Sequence, residues 1–257
     1  MDHDTQTASP AASPSAPPFR IDWNRHAAFL DFDGTLSAIV DQPDQARLVS
    51  GAADLLARLC DLTGGAVAVV TGRAIADVAP KLPADLLVIS GSHGLELKMP
   101  HNAPTLTHRA EGLFDDATAA LAEFATPRDL RIEAKPGAIA LHYRNHPDLG
   151  PECRDAVDRI VAGTPDLRAM HGKMVSEVAI AGVDKGIALR NLMQQPPFAG
   201  RVPIMAGDDV TDEDGFAAAQ ALSGFGIRIG VENTGAHHSL PDIDAFIDWL
   251  SGTLPRP

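Results

Sequence analysis

Residues 26 to 30, HAAFL, form a short apolar run that stops against Asp31, Phe32, Asp33, Gly34 and Thr35. A run of this length, bounded by acids and a glycine, reads as a buried strand whose carboxyl end turns sharply. In open α/β sheets such strand ends carry the chemistry, so this one segment restricts both fold and function. Residues two apart in an extended chain face the same way, which lets Asp31 and Asp33 address one point. Gly34 lets backbone amides approach an anion there. By composition the pattern D-x-D-G-T arises by accident in only about one chain in several hundred.

The rest of the chain agrees with a strand of that kind. Residues 50 to 62 carry Leu55, Leu56, Leu59 and Leu62 at helical spacing, stopped by Gly64 and Gly65. An apolar strand at 66 to 70 runs into TGR, and a third at 86 to 89 runs into SGSHGLE. Strand alternating with helix predicts a parallel sheet. The pattern then changes. Leu113, Ala117, Leu121 and Phe124 predict a helix, segments 131–134 and 138–144 alternate as half-exposed antiparallel strands do, and a helix near Val157 leads to a strand at 175–180. From Asp184 the first style resumes, with a helix to about Gln194, a strand at 202–205 entering GDDVTDEDG, a strand at 227–229 and a closing helix through Phe246 and Leu250. Thr211 is the expected N-cap of the helix holding Asp212, Glu213 and Asp214. The fold class expected is α/β, a Rossmann-like three-layer core with a parallel sheet, interrupted by an inserted α+β domain with an antiparallel sheet. The expected divisions are a disordered tail at 1–18, core at 19–99, insertion at 100–181 and core again at 182–257.

Charge narrows the partners. Lys and Arg total 21 against 34 Asp and Glu, a formal charge of -13, which disfavours nucleic acid and anionic membrane surfaces. No apolar stretch approaches the roughly 18 residues that a spanning helix needs. The two cysteines, Cys60 and Cys153, sit in helix-like patterns and suit a reducing compartment, and the first 18 residues hold no Lys, Arg or apolar block, so no secretory or transit signal is readable. A cytoplasmic location is expected.

Two carboxylates facing a phosphoryl group repel it at about 4 Å unless a cation intervenes. Asp208, Asp209 and Asp212, at the end of another strand, supply the hard oxygen ligands that magnesium prefers. Val210 at the first ligand place excludes a calcium loop starting there. Thr71 offers a hydroxyl and an amide, and Lys185 a compact positive charge.

Taken in order, DFDGT at 31–35, Thr71, Lys185 and GDD at 207–209 resemble the four motifs of haloacid dehalogenase-like phosphatases. The resemblance implies that Asp31 is the nucleophile and Asp33 the general acid/base. It places Gly34, Thr71, Gly72 and Lys185 on the phosphate, and a magnesium ion on Asp31, the Asp33 carbonyl, Asp208 and Asp209, with Asp212 in support. The segments at 90–96, 135–144, 172–178 and 207–216 further resemble the trehalose-6-phosphate phosphatase family. That implies a sugar-phosphate substrate and makes the insertion a cap. His93, Glu96, His142, Arg144, Lys173 and Glu177 are the expected substrate contacts, with Lys173 and Glu177 foremost for the second sugar ring. The alternatives are another capped sugar-phosphate phosphatase, acting on sucrose phosphate or a glycosyl-glycerate phosphate, and a non-catalytic phosphosugar-binding regulator. The intact acid and Lys set argues against the regulator.

Overall fold

A computed structural model describes residues 14–40, 42–101, 103–107, 112–135 and 137–255. In chain order the elements are β1 (His26–Leu30), α1 (Ala52–Thr63), β2 (Val67–Val70), α2 (Ile75–Val78), β3 (Val88–Gly91), β4 (Glu96–Lys98) and β5 (Leu106–Thr107). There follow α3 (Asp115–Ala125), β6 (Arg131–Lys135), β7 (Ala138–His142), α4 (Gly150–Val161), β8 (Leu167–Gly172) and β9 (Val175–Ile180). The chain closes with α5 (Lys185–Leu192), β10 (Val202–Gly207), α6 (Asp212–Ala221), β11 (Phe225–Ile229), β12 (His238–Leu240) and α7 (Ile243–Thr253).

The larger sheet has the order β12-β11-β10-β1-β2-β3-β4-β5, parallel from β12 through β3. β1 lies in the middle because every one of its residues beyond His26 is buried, and only a central strand hides both faces. One face takes α1, α2 and α7, through Leu56, Leu59, Val78 and Phe246 against Leu30, Val69 and Ile204. The other takes α5 and α6, through Leu189 and Phe216 against Phe29 and Met205. Each fully buried Leu or Phe contributes about 1.5–3 kcal/mol over leaving it exposed. α1 ends where Gly64 adopts φ +60, the left-handed turn that a glycine enters without strain.

The smaller sheet, β6-β7-β9-β8, is wholly antiparallel. α3 and α4 cover one face through Leu121, Cys153 and Val157 packed on Ile139, Leu141 and Val178. Cross-strand partners Ala140, Glu177 and Met170 therefore share the face without helices. Cys60 and Cys153 are free and buried in different cores. No helix among the described residues is long and apolar enough to cross a membrane.

Several details depart from expectation. The larger sheet runs on past residue 100, because β4 and β5 add an antiparallel hairpin at its edge. Most of the expected tail lies outside the described residues, but Ser15 bonds the edge strand, its N–H donating to His237 O at 3.2 Å and its carbonyl accepting from Ser239 N at 3.0 Å. Trp249 Nε1 donates to Pro18 O at 3.0 Å. Thr211 does not cap α6 with its side chain: its backbone is helical where a capping residue is extended, and Asp212 Oδ2 accepts from Asp209 N.

Candidate functional site

Parallel strands β1, β2 and β10 end on the same edge, and the site forms where their loops meet. Asp31 directly follows β1 and is 4% exposed. Lys185 opens α5, whose N-cap Asp184 accepts from Ile187 N at 2.7 Å, so the lysine springs from a rigid helix start. Its Nζ lies 2.9 Å from Asp31 Oδ1 and 2.8 Å from Asp212 Oδ1, with Asp212 completely buried. Asp208 joins them: one carboxylate oxygen each from Asp31, Asp208 and Asp212 lies within 4.8 Å of the others.

Two glycines make this convergence possible. Gly34 has φ +68, and a Cβ there would stand 2.0 Å from Asp208 Cγ. A Cβ on Gly207 would stand 2.1 Å from Asp212 Cγ. Both backbones give way to carboxylates.

The charge balance is unfavourable without a further cation, since one ammonium faces three carboxylates. Burial, with Asp212 adding to it against the pull of Lys185, raises Asp31 to about 8. Burial and the neighbouring Asp212 and Asp209 raise Asp208 to about 6. Burial works against the charge of Lys185, but Asp31 and Asp212 outweigh it and hold the ammonium above its ordinary range. A donor set of oxygens alone fits a hard divalent cation. Asp209, expected among the ligands, is not in this trio. Adjacent residues diverge at the strand end, so Asp209 lines the cleft while Asp212, one helical turn on, returns to complete the set.

Asp33 is also outside the trio. Arg73 grips it in a fork, Nε to Oδ2 at 2.6 Å and Nη2 to Oδ1 at 2.7 Å. The same guanidinium donates from Nη1 to Pro43 O at 2.7 Å and lies over the Phe32 ring at 5.5 Å. Thr71 is buried after β2, its N–H donating to Ser90 O at 2.9 Å and its hydroxyl oxygen accepting from Arg73 N at 3.2 Å.

Beside this floor lies a cleft of about 540 Å³. Lys185, His93, Asp209 and Asp214 line it from the larger unit, and Arg168, Met170, Val175 and Glu177 roof it from the helix-free face of the smaller sheet. Lys173 stands exposed at the β8–β9 turn on its rim. His93 takes φ +58 and sets its ring where a Cβ on Gly72 would come within 2.7 Å. Burial, then the charge of Lys185, lowers His93 to about 4, which keeps the imidazole neutral.

Three expected contacts do not line the cleft. Glu96 Oε2 accepts from Ile75 N at 3.0 Å and from Ser92 Oγ at 2.8 Å, so it ties the start of α2 to the β3 end. His142 stands opposite Val175 of the roof, but its Nε2 bonds Glu133 Oε2 at 3.0 Å across β6 and β7. Arg144 falls just beyond β7 and is exposed. Arg73 and Arg168 went unread in the sequence. The TGR triplet offered a signal for Arg73. Arg168, which donates from Nη2 to Val183 O at 2.8 Å and keeps a buried Nε without a hydrogen-bond partner, sits on a strand too irregular to announce itself.

The sequence model of the trehalose-phosphatase family matches residues 29–245. The chain is 32% identical over 236 residues to the trehalose-6-phosphate phosphatase of Escherichia coli K12, covering 90% of this chain and 89% of that one. A solved structure of Aspergillus fumigatus trehalose-6-phosphate phosphatase superposes with a TM-score of 0.74 at 26% identity, over 93% of this chain and 98% of the other. A haloacid dehalogenase-like hydrolase from Bacteroides thetaiotaomicron gives a TM-score of 0.63 over 88% and 98% of the two chains, and at 14% identity that likeness concerns the fold alone.

Proposed function

Because the chain belongs to the trehalose-phosphatase family, we propose that it hydrolyses trehalose 6-phosphate to trehalose and inorganic phosphate through an aspartyl-phosphate on Asp31. The observation that carries this reading is the buried Asp31, held 2.9 Å from Lys185, which itself lines a cleft that the inserted sheet roofs. A phosphomonoester reaching Lys185 meets a nucleophile below and sugar-binding groups above.

In the first half of the reaction an Asp31 carboxylate oxygen attacks phosphorus, the phosphorus–sugar oxygen bond breaks, and Asp33 gives its proton to the departing oxygen. In the second half water attacks phosphorus, its proton passes to Asp33, the acyl phosphate bond breaks and the Asp31 carboxylate returns. Lys185, Thr71 and the amide at Gly72 bind phosphoryl oxygens, whereas the Gly34 N–H, expected to join them, donates to Ser37 O at 2.8 Å and closes the turn instead. Magnesium, held by Asp31, Asp208, Asp212 and the Asp33 carbonyl, would neutralise charge between carboxylates and phosphate. Asp209, on the cleft side, stays in reserve for the same ion's surroundings.

The insertion acts as a cap, with Glu177, Lys173 and the neutral His93 addressing sugar hydroxyls. A neutral imidazole both donates and accepts, which suits a hydroxyl better than a phosphate. The substrate is a small sugar phosphate, and an acidic chain with two separately buried thiols fits a reducing cytoplasm. The test is phosphate release from about a dozen sugar phosphates, with and without magnesium. Preference for trehalose 6-phosphate supports the reading, and equal rates on sucrose phosphate would move the chain to a broader class of disaccharide-phosphate phosphatases.

A further inference from the structure

Asp33 carries the proton in both halves of the proposed reaction, yet its side chain is 34% exposed and opens a glycine-bearing turn. A carboxylate in that position rotates freely unless something fixes it, and a base works only within hydrogen-bond reach of the proton it takes. Arg73 supplies the fixture. Its guanidinium is 13% exposed and engages both oxygens of Asp33.

The guanidinium is itself anchored on independent segments. Nη1 donates to Pro43 O, the plane rests on Phe32, the Arg73 N–H donates to Thr71 Oγ1, and the Arg73 carbonyl accepts from Ser92 N at 2.8 Å. The side chain thus ties the loop after β1 to the loop after β2, and the Arg73 backbone ties both to the loop after β3. The Arg73 guanidinium pairs with a carboxylate rather than facing the cleft, and it does not line the roofed space.

We propose that Arg73 is a positioning residue for the hydrolytic half of the reaction: its fork holds Asp33 aimed at the water that attacks the phosphorylated Asp31. The proposal rests on the aspartyl-phosphate reading given above. In that step the water oxygen bonds phosphorus, the phosphorus–oxygen bond to Asp31 breaks, and the proton goes to Asp33 while Arg73 stays charged throughout. A water molecule has no tether of its own, unlike the leaving oxygen of a bound sugar, so the second half depends on the orientation the fork gives Asp33 more than the first. Lysine cannot replace the planar fork, because an ammonium offers a point charge and not two parallel donors.

The experiment is acid quench of the enzyme during steady-state turnover of trehalose 6-phosphate with magnesium, followed by counting covalent phosphate per chain. Arg73→Ala is expected to lower kcat by about 10²-fold with KM within about threefold, and to raise the trapped phosphoenzyme severalfold above wild type. Arg73→Lys, which keeps the charge, is expected to show the same accumulation. A fall in kcat with no rise in trapped phosphate would reduce Arg73 to a structural tie, and so would full rescue by Arg73→Lys. Unchanged kcat in Arg73→Ala would remove it from the reaction. If the Ala variant melts below the assay temperature, the Lys variant alone decides between these outcomes. Absence of any trapped phosphate in wild type and both variants, together with turnover by Asp31→Asn, would overturn the covalent reading itself, a result separable from failure of Arg73 alone.

Discussion

Gly34 and Asp208 compete for one volume: the Cβ that any other residue would bring at position 34 lies 2.0 Å from Asp208 Cγ. The turn also holds φ at +68, so conformation and space both demand glycine. Gly34→Ala is expected to displace the Asp208 carboxylate, weakening magnesium binding at least about tenfold and lowering stability by about 1–3 kcal/mol. Calorimetric titration with magnesium and a thermal melt measure the two effects. An unaltered magnesium affinity would show that Asp208 takes its place without this turn.

Asp31→Asn is expected to stop turnover by at least about 10⁴-fold, since the amide keeps the shape and cannot attack phosphorus. Substrate should still bind. Phosphate release paired with equilibrium binding of trehalose 6-phosphate checks both, and near-normal turnover would end the nucleophile assignment.

The raised carboxyls couple metal binding to protons. An unfolded Asp titrates near 3.9, whereas Asp31 titrates at about 8 and Asp208 at about 6 in the folded chain. The metal-free folded state therefore binds more protons than the unfolded one between about pH 4 and 8, and these groups withdraw stability as pH rises through that window. Magnesium binding should release protons at pH 7 and fewer at pH 9. Titration calorimetry in two buffers of different ionisation enthalpy reads the proton count. An identical count at both pH values would contradict the raised pKa of Asp31.

Roof residues are expected to discriminate between substrates. Lys173→Ala and Glu177→Ala should lower kcat/KM on trehalose 6-phosphate by about tenfold or more, at about 1.4 kcal/mol per factor of ten, yet scarcely alter hydrolysis of a small aryl phosphate. His142→Ala and Arg144→Ala, whose parents do not line the cleft, should leave both rates within about threefold. Losses at His142 matching those at Glu177 would restore β7 to the binding surface.

How far the sequence carried depended on how local each signal was. β1 and β10 are apolar runs ending in acids, so strand and site were legible together at Asp31 and Asp208. β4, β5 and β12 are only two or three residues long and half polar, and no periodicity exists over such lengths. The partners of Glu96 were illegible for a different reason. A carboxylate in a turn beside a candidate site reads as a ligand, whereas in the structure it accepts from the N–H of Ile75, and that bond depends on how two loops meet in space. The resemblance gave Asp212 a supporting role, whereas the turn before α6 brings its carboxylate within 4.8 Å of those of Asp31 and Asp208. His142 alternated correctly on its strand, but alternation assigns a face and not a distance from the cleft.

The register of β1, with Phe29 beside Ala68 on one flank and beside Met205 on the other, bears on how the chain is made. The first flank is translated early, whereas about 130 residues separate the end of β2 from the start of β10. At about 5–20 residues per second, ribosomes leave that flank of β1 without its partner for roughly 7–26 seconds. An apolar strand with an unpaired edge invites pairing with other nascent chains. The antiparallel unit emerging during that interval is built from neighbouring segments and closes on its own contacts, so the only edges it adds are those of β6 and β8. Slowing translation within residues 100 to 200 should therefore raise aggregation more than slowing it after β10.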